Sequence, residues 1–258
     1  MNQKCHLTRQ LTGCVLSSIF AIPLRCILRQ KCYLKPTGYR NVSLNMMSNP
    51  EVNIYSGKMS EAIDRAKACQ NFLNDFKKSG DRYQFDSAVL QFRKSLECMV
   101  YCSIAPNRKE YEDFRQSSEK PADFRKDYNA KKILTMLGKI NAEFYPQPAQ
   151  KEPNLKQGYH HFSAKKGDFL TKKRFIAIYD RLGKFLHADN PWSNSKGIHN
   201  LVVDIEASLN YLFDLLKCHI VYVKTNKFVG IWLVEVDIES SPCLVQVYQA
   251  ARAEAPKS

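Results

Sequence analysis

The chain has 258 residues, 44% of them hydrophobic and 25% charged, with a formal net charge of +14. This balance excludes a disordered or collagen-like chain, and the length suffices for the full core of one or two domains. A chain this basic tolerates polyanions, so RNA or DNA is a candidate partner, although a solvated basic surface fits the charge equally well.

Half of the net charge lies in the first 50 residues, which carry Lys4, Arg9, Arg25, Arg29, Lys31, Lys35 and Arg40 and no acid. Leu11 to Leu24 is an apolar run of 14 residues interrupted by Pro23. A membrane-spanning helix needs about 20 residues, and the basic residues that follow are the wrong flank for a secretory signal. The favoured expectation is a start at Met46 or Met47, with residues 1–46 outside the fold. A processed or anchoring segment, or a real folded part, is the alternative. No membrane association is expected for the body.

Of nine cysteines, four lie in that first stretch and the others are Cys69, Cys98, Cys102, Cys218 and Cys243. None forms a Cys-x-x-Cys unit, so no zinc site is expected. The irregular spacing fits reduced thiols and a cytoplasmic setting.

In chain order, residues 59–78 read as a helix, with Ala62, Ala66, Cys69, Leu73 and Phe76 at helical spacing and Ser79-Gly80 as its stop. Residues 84–104 form a second, on the stripe Phe85, Ala88, Val89, Phe92, Leu96, Met99 and Val100. Residues 108–117 and 122–140 read as helical and divide near Pro121. The stretch 142–170, with Pro146, Pro148 and Pro153, reads as a long irregular loop, solvated or functional. Thr171 is a suitable N-cap for a helix over 172–187, and a last helix spans about 195–217. The composition then turns to Val, Ile and aromatics, predicting three antiparallel strands at Ile220–Val223, Phe228–Ile238 and Leu244–Tyr248. The expected fold is therefore mainly α: an antiparallel helical bundle over 47–217 with a small C-terminal antiparallel sheet over 218–258, α+β overall.

One stretch carries possible chemistry: Tyr179-Asp180-Arg181-Leu182-Gly183-Lys184-Phe185-Leu186-His187-Ala188-Asp189-Asn190-Pro191-Trp192. At about 100° per residue, Arg181 falls to one side of the apolar stripe and His187 to the other, so neither is a core position. A guanidinium and an imidazole so placed can face one phosphodiester. Arg93 and Glu97 form an i,i+4 pair on the second helix; this is either an ordinary salt bridge or a support that orients Arg181 or His187. Lys165, Lys166, Lys172, Lys173 and Arg174 lead into the motif helix, with Lys184 opposite its apolar stripe. They are candidates to track a phosphate backbone, or a solvated charge run. Tyr179 and Trp192 could stack on bases, but Tyr179 lies on the apolar stripe.

The Arg-five residues-His spacing, the segment Phe85–Tyr101 (FDSAVLQFRKSLECMVY) and the ending Phe185–Pro191 resemble the HEPN superfamily (higher eukaryote and prokaryote nucleotide-binding domains), and its abortive-infection-like groups in particular. The resemblance covers roughly 55–217. It implies a helical bundle and metal-independent RNA cleavage in a homodimer, in a phage-defence or toxin–antitoxin role that admits a protein inhibitor or activator. His187 would exchange protons with the ribose 2′-hydroxyl or the leaving oxygen, and Arg181 would stabilise phosphorane charge. Many active members carry a polar residue directly after the Arg, where this chain has Leu182. Asn190 or Glu97 is the candidate substitute.

Other chemistries lack support. There is no Gly-rich phosphate loop, nucleophile elbow or His-Glu-x-x-His helix, and no cofactor or metal is expected. The rival readings are a ribonuclease, a non-catalytic RNA- or protein-binding module, and a regulatory protein without a nucleic-acid role.

Overall fold

The computed structural model describes residues 5–9, 19–21, 42–43, 50–118, 121–152, 159–188, 192, 197–226, 228–240 and 242–251. The helices are α1 (Pro50–Ser79), α2 (Arg82–Ile104), α3 (Arg108–Gln116), α4 (Ala130–Ile140), α5 (Lys172–Phe185) and α6 (Ile198–Leu216). The strands are β1 (Cys5–Arg9), β2 (Ile19–Ala21), β3 (Val42–Ser43), β4 (Gln147–Glu152), β5 (Tyr159–Ala164), β6 (Cys218–Lys224), β7 (Val229–Asp237) and β8 (Leu244–Ala251). Helices and an antiparallel sheet thus make up an α+β fold, as the sequence suggests.

The α1–α2 hairpin is the spine. Gly80 takes a left-handed φ of 72° and returns its amide to Phe76 O at 2.8 Å, closing α1. Asp81 then caps α2 by accepting from the Tyr83 amide at 2.9 Å. α1 begins nine residues before the expected start, because Val52 and Tyr55 extend the buried stripe of Met59, Ala62, Ile63 and Ala66. The polar residues between them had hidden that extension. The helix expected over 122–140 is a 3-10 turn at Phe124–Lys126 followed by α4. The Asn129 side chain accepts from the Lys132 amide and restarts the helix there.

The sheet is larger than expected. Its order is β3-β2-β1-β5-β4-β6-β7-β8, with each neighbouring pair antiparallel. The stretch 142–170, read as a loop, supplies β4 and β5, and β4 joins the C-terminal strands through Gln147↔Ile220 and Pro148↔His219. Prolines and a mixed composition conceal these strands, and the partners on their outer edges, β6 and β1, are remote in sequence. The described pieces of residues 1–46 also pair, β1 lying along β5 from Cys5↔Phe162 to Thr8↔Tyr159. The apolar run Leu11–Leu24 otherwise lies mostly outside the described residues.

β6 alternates, turning His219, Val221 and Val223 inward. β7 is buried on both faces. Trp232, Val234 and Val236 share the main core with the helices, while Ile231 and Leu233 pack with Phe162 on the far side. The sheet is therefore part of the bundle's core.

Among the described residues no helix is long and apolar enough to cross a membrane. Cys69, Cys98, Cys102 and Cys243 are buried free thiols, and desolvation pushes Cys69 up to about 12 and Cys98 up to about 11.

Candidate functional site

α5 carries the Arg–His stretch. Thr171 caps it by accepting from the Arg174 amide at 3.2 Å, as its sequence suggests. Phe175, Ile178, Tyr179, Leu182 and Phe185 are buried, fixing the helix's rotation. That rotation sends three successive residues toward three neighbours.

Tyr179 turns to α2. The Arg93 guanidinium lies 3.9 Å from the centre of its ring. Arg93 also donates from Nη1 to Tyr179 O at 3.1 Å and from Nη2 to the Tyr179 hydroxyl at 2.8 Å. The hydroxyl in turn donates to Glu97 Oε1 at 3.0 Å, and Glu97 lies 3.3 Å from Arg93 Nε. Burial and the Glu97 charge push the Tyr179 hydroxyl up to about 12, so it remains a donor. Gly183 completes this knot: a Cβ there would meet Arg93 Nη1 at 2.7 Å.

Asp180 turns to α4 and accepts from Lys131 at 2.6 Å. Arg181 turns to α6, where its guanidinium pairs with the Asp204 carboxylate, each side chain roughly 40% exposed (37% and 42%). Leu182 is wholly buried, so the position after the Arg presents a core side chain. α5 stops at Phe185, two residues short of the expected end, and His187 follows in an exposed bend. Trp192 is 91% exposed.

The structure thus separates the expected site residues. Arg93 and Glu97 are joined to each other, as the ordinary salt-bridge reading of the pair has it, and both are joined to Tyr179. The physical reason is that the buried Tyr179 hydroxyl lies within reach of both ends of that pair. Asn190 lies outside the described residues. Asp204 is the partner that sequence reasoning missed; it is one acid among several on α6, and only the packing of α5 on α6 selects it.

The basic run divides as well. Lys165 is bound to Asp214 at 2.6 Å, and Arg174 is bound to Asp168 at 2.9 Å while lying 4.3 Å from the Tyr211 ring centre. Lys172 approaches the Phe144 ring at 5.2 Å. Lys166, Lys173 and Lys184 are exposed, and none enters an ion pair among the described residues. No three His, Cys, Asp or Glu side chains among the described residues gather as a metal site.

A deeply buried histidine lies elsewhere. His219 Nδ1 faces Leu216 O at 3.2 Å and Nε2 faces the Tyr55 hydroxyl at 2.6 Å. Desolvation holds it down at about 4, so it is a neutral core group. No family model, curated protein or solved structure matches the chain.

Proposed function

We propose that the protein is a HEPN-like, metal-independent RNA endonuclease acting through Arg181 and His187 as a homodimer. The observation that carries this reading is the exit of both side chains from the core of α5: Arg181 half-exposed beside Asp204, His187 exposed just past the helix end. In the proposed reaction the His187 imidazole takes the proton of the ribose 2′-hydroxyl as that oxygen attacks phosphorus. The 5′-oxygen leaves with a proton from an imidazolium, and a 2′,3′-cyclic phosphate forms. A twofold axis would supply the second imidazole. Arg181 would stabilise charge on the non-bridging oxygens. Lys166, Lys173 and Lys184 supply exposed cations for the RNA backbone. A defence or toxin role in the cytoplasm, under a protein inhibitor or activator, belongs to the same reading.

A second reading, a non-catalytic RNA- or protein-binding module, is favoured by Leu182. Its side chain is committed to the core, so the position after the Arg offers no polar group.

The test is the full chain, beside His187→Ala and Arg181→Ala, incubated with mixed RNA in EDTA. Cleavage leaving cyclic-phosphate ends, lost in both variants at unchanged circular dichroism, supports the endonuclease. Cleavage that persists in His187→Ala rejects it. Salt-dependent RNA binding without cleavage by any form supports the binding module.

A further inference from the structure

A cavity of about 660 Å³ opens beside α4, on the side of the fold where Lys131 meets Asp180, and its lining differs from that of the Arg181 surface. That volume lies in the range of small-ligand sites. Four basic side chains line it, Arg115, Lys126, Lys131 and Lys132, against one carboxylate, Asp127.

The carboxylate is already engaged. Arg115 Nη2 donates to Oδ1 at 3.0 Å, and its Nε lies 2.9 Å from Oδ2 as an ion-pair contact without hydrogen-bond alignment. Tyr111 also donates to Oδ2 at 2.9 Å, and the Tyr101 hydroxyl donates to the Asp127 backbone oxygen at 3.2 Å. These bonds make a rigid floor whose negative charge is neutralised. Lys131 is shared with Asp180 in an exposed pair, which a competing anion can open at little cost. Lys126 and Lys132 are exposed and enter no ion pair among the described residues. Between them in sequence stands Tyr128, on the cavity lining yet 78% exposed. An aromatic ring left open beside uncompensated cations matches a ligand that joins a flat π-face to negative charge.

We propose that this cavity binds a phosphate group attached to a nucleobase, the phosphate held by Lys126 and Lys132 and the base laid on Tyr128. A free mononucleotide and the phosphorylated 5′ end of an RNA share that chemistry. The site stands on residues separate from Arg181 and His187 and is independent of the reaction proposed for them.

The test measures binding to the full chain by calorimetry. The probes are AMP, adenosine, inorganic phosphate, and a short RNA with either a 5′-phosphate or a 5′-hydroxyl. AMP binding more tightly than both adenosine and phosphate assigns a free nucleotide. A preference for the 5′-phosphorylated RNA alone assigns an RNA end. In either case Tyr128→Ala and Lys132→Glu each weaken binding about tenfold or more. Both variants alter exposed side chains, and unchanged circular dichroism confirms their fold. The proposal is overturned if neither phosphorylated probe binds better than its unphosphorylated form, or if both variants bind like the wild type.

Discussion

Arg181 and Asp204 form an ion pair that ties the motif helix α5 to α6, and both partners remain open to solvent. With Leu182 in the core, Asp204 is the carboxylate placed to fix the guanidinium.

Asp204→Asn is therefore expected to separate stability from activity. An exposed pair contributes about 1 kcal/mol or less, so thermal unfolding shifts little. On the proposed endonuclease reading, misplacing the guanidinium lowers RNA cleavage by about tenfold. Single-turnover cleavage measured beside thermal melts checks this, and an unchanged rate would remove Asp204 from the reaction.

Gly183 is expected to resist a substitution that helix propensity favours. Alanine in a helix interior gains about 1 kcal/mol over glycine. Here its Cβ would displace Arg93 Nη1, which lies 2.7 Å from that point. The displaced guanidinium loses charged hydrogen bonds of about 1.5–3 kcal/mol. Gly183→Ala should thus destabilise by about 1 kcal/mol in urea unfolding, the difference between these two effects. In an Arg93→Met background the same change should become stabilising. The double-mutant cycle measures that reversal of sign, and equal effects in both backgrounds would contradict it.

His219 predicts a pH window. Its folded value, about 4, lies below the ordinary 6.5, so at intermediate pH the unfolded chain binds a proton that the folded chain refuses. The contribution is fully present above pH 6.5 and is lost as pH falls from there toward 4. Its full size is on the order of 3 kcal/mol. Urea midpoints of wild type and His219→Gln across that window test it. The stability difference should change in favour of the variant as pH falls, and a pH-independent difference would disprove the assignment.

Asn141 is expected to be costly to remove. Its Nδ2 donates to Tyr222 O at 2.9 Å and to Asn107 Oδ1 at 3.3 Å, and its Oδ1 accepts from the Glu143 amide at 3.0 Å. Asn107 donates onward to Ser103 O at 3.1 Å, so the chain of bonds links α2, α4 and β6. Asn141→Ala removes the donor to Tyr222 O and to the buried Asn107 Oδ1 and should cost about 2–3 kcal/mol. Chemical denaturation measures it, and a loss below about 0.5 kcal/mol would mean that water replaces the side chain.

The sequence by itself determined the elements whose causes are local. Ser79-Gly80 ends the first helix, Thr171 opens α5, and the stripe from Phe85 to Val100 turns α2 inward. The Val-, Ile- and aromatic-rich segments of 218–248 likewise place three strands. What tertiary structure alone decided depends on remote partners. β4 and β5 read as loop because a strand's pairing energy lies in its neighbours. Arg93 and Glu97 read as a helix pair, but the Tyr179 hydroxyl, buried 82 positions from Glu97, claims both. Asp204, Asn141 and His219 carry no local signal, since a polar side chain shows its role only when packing removes water and leaves it one partner.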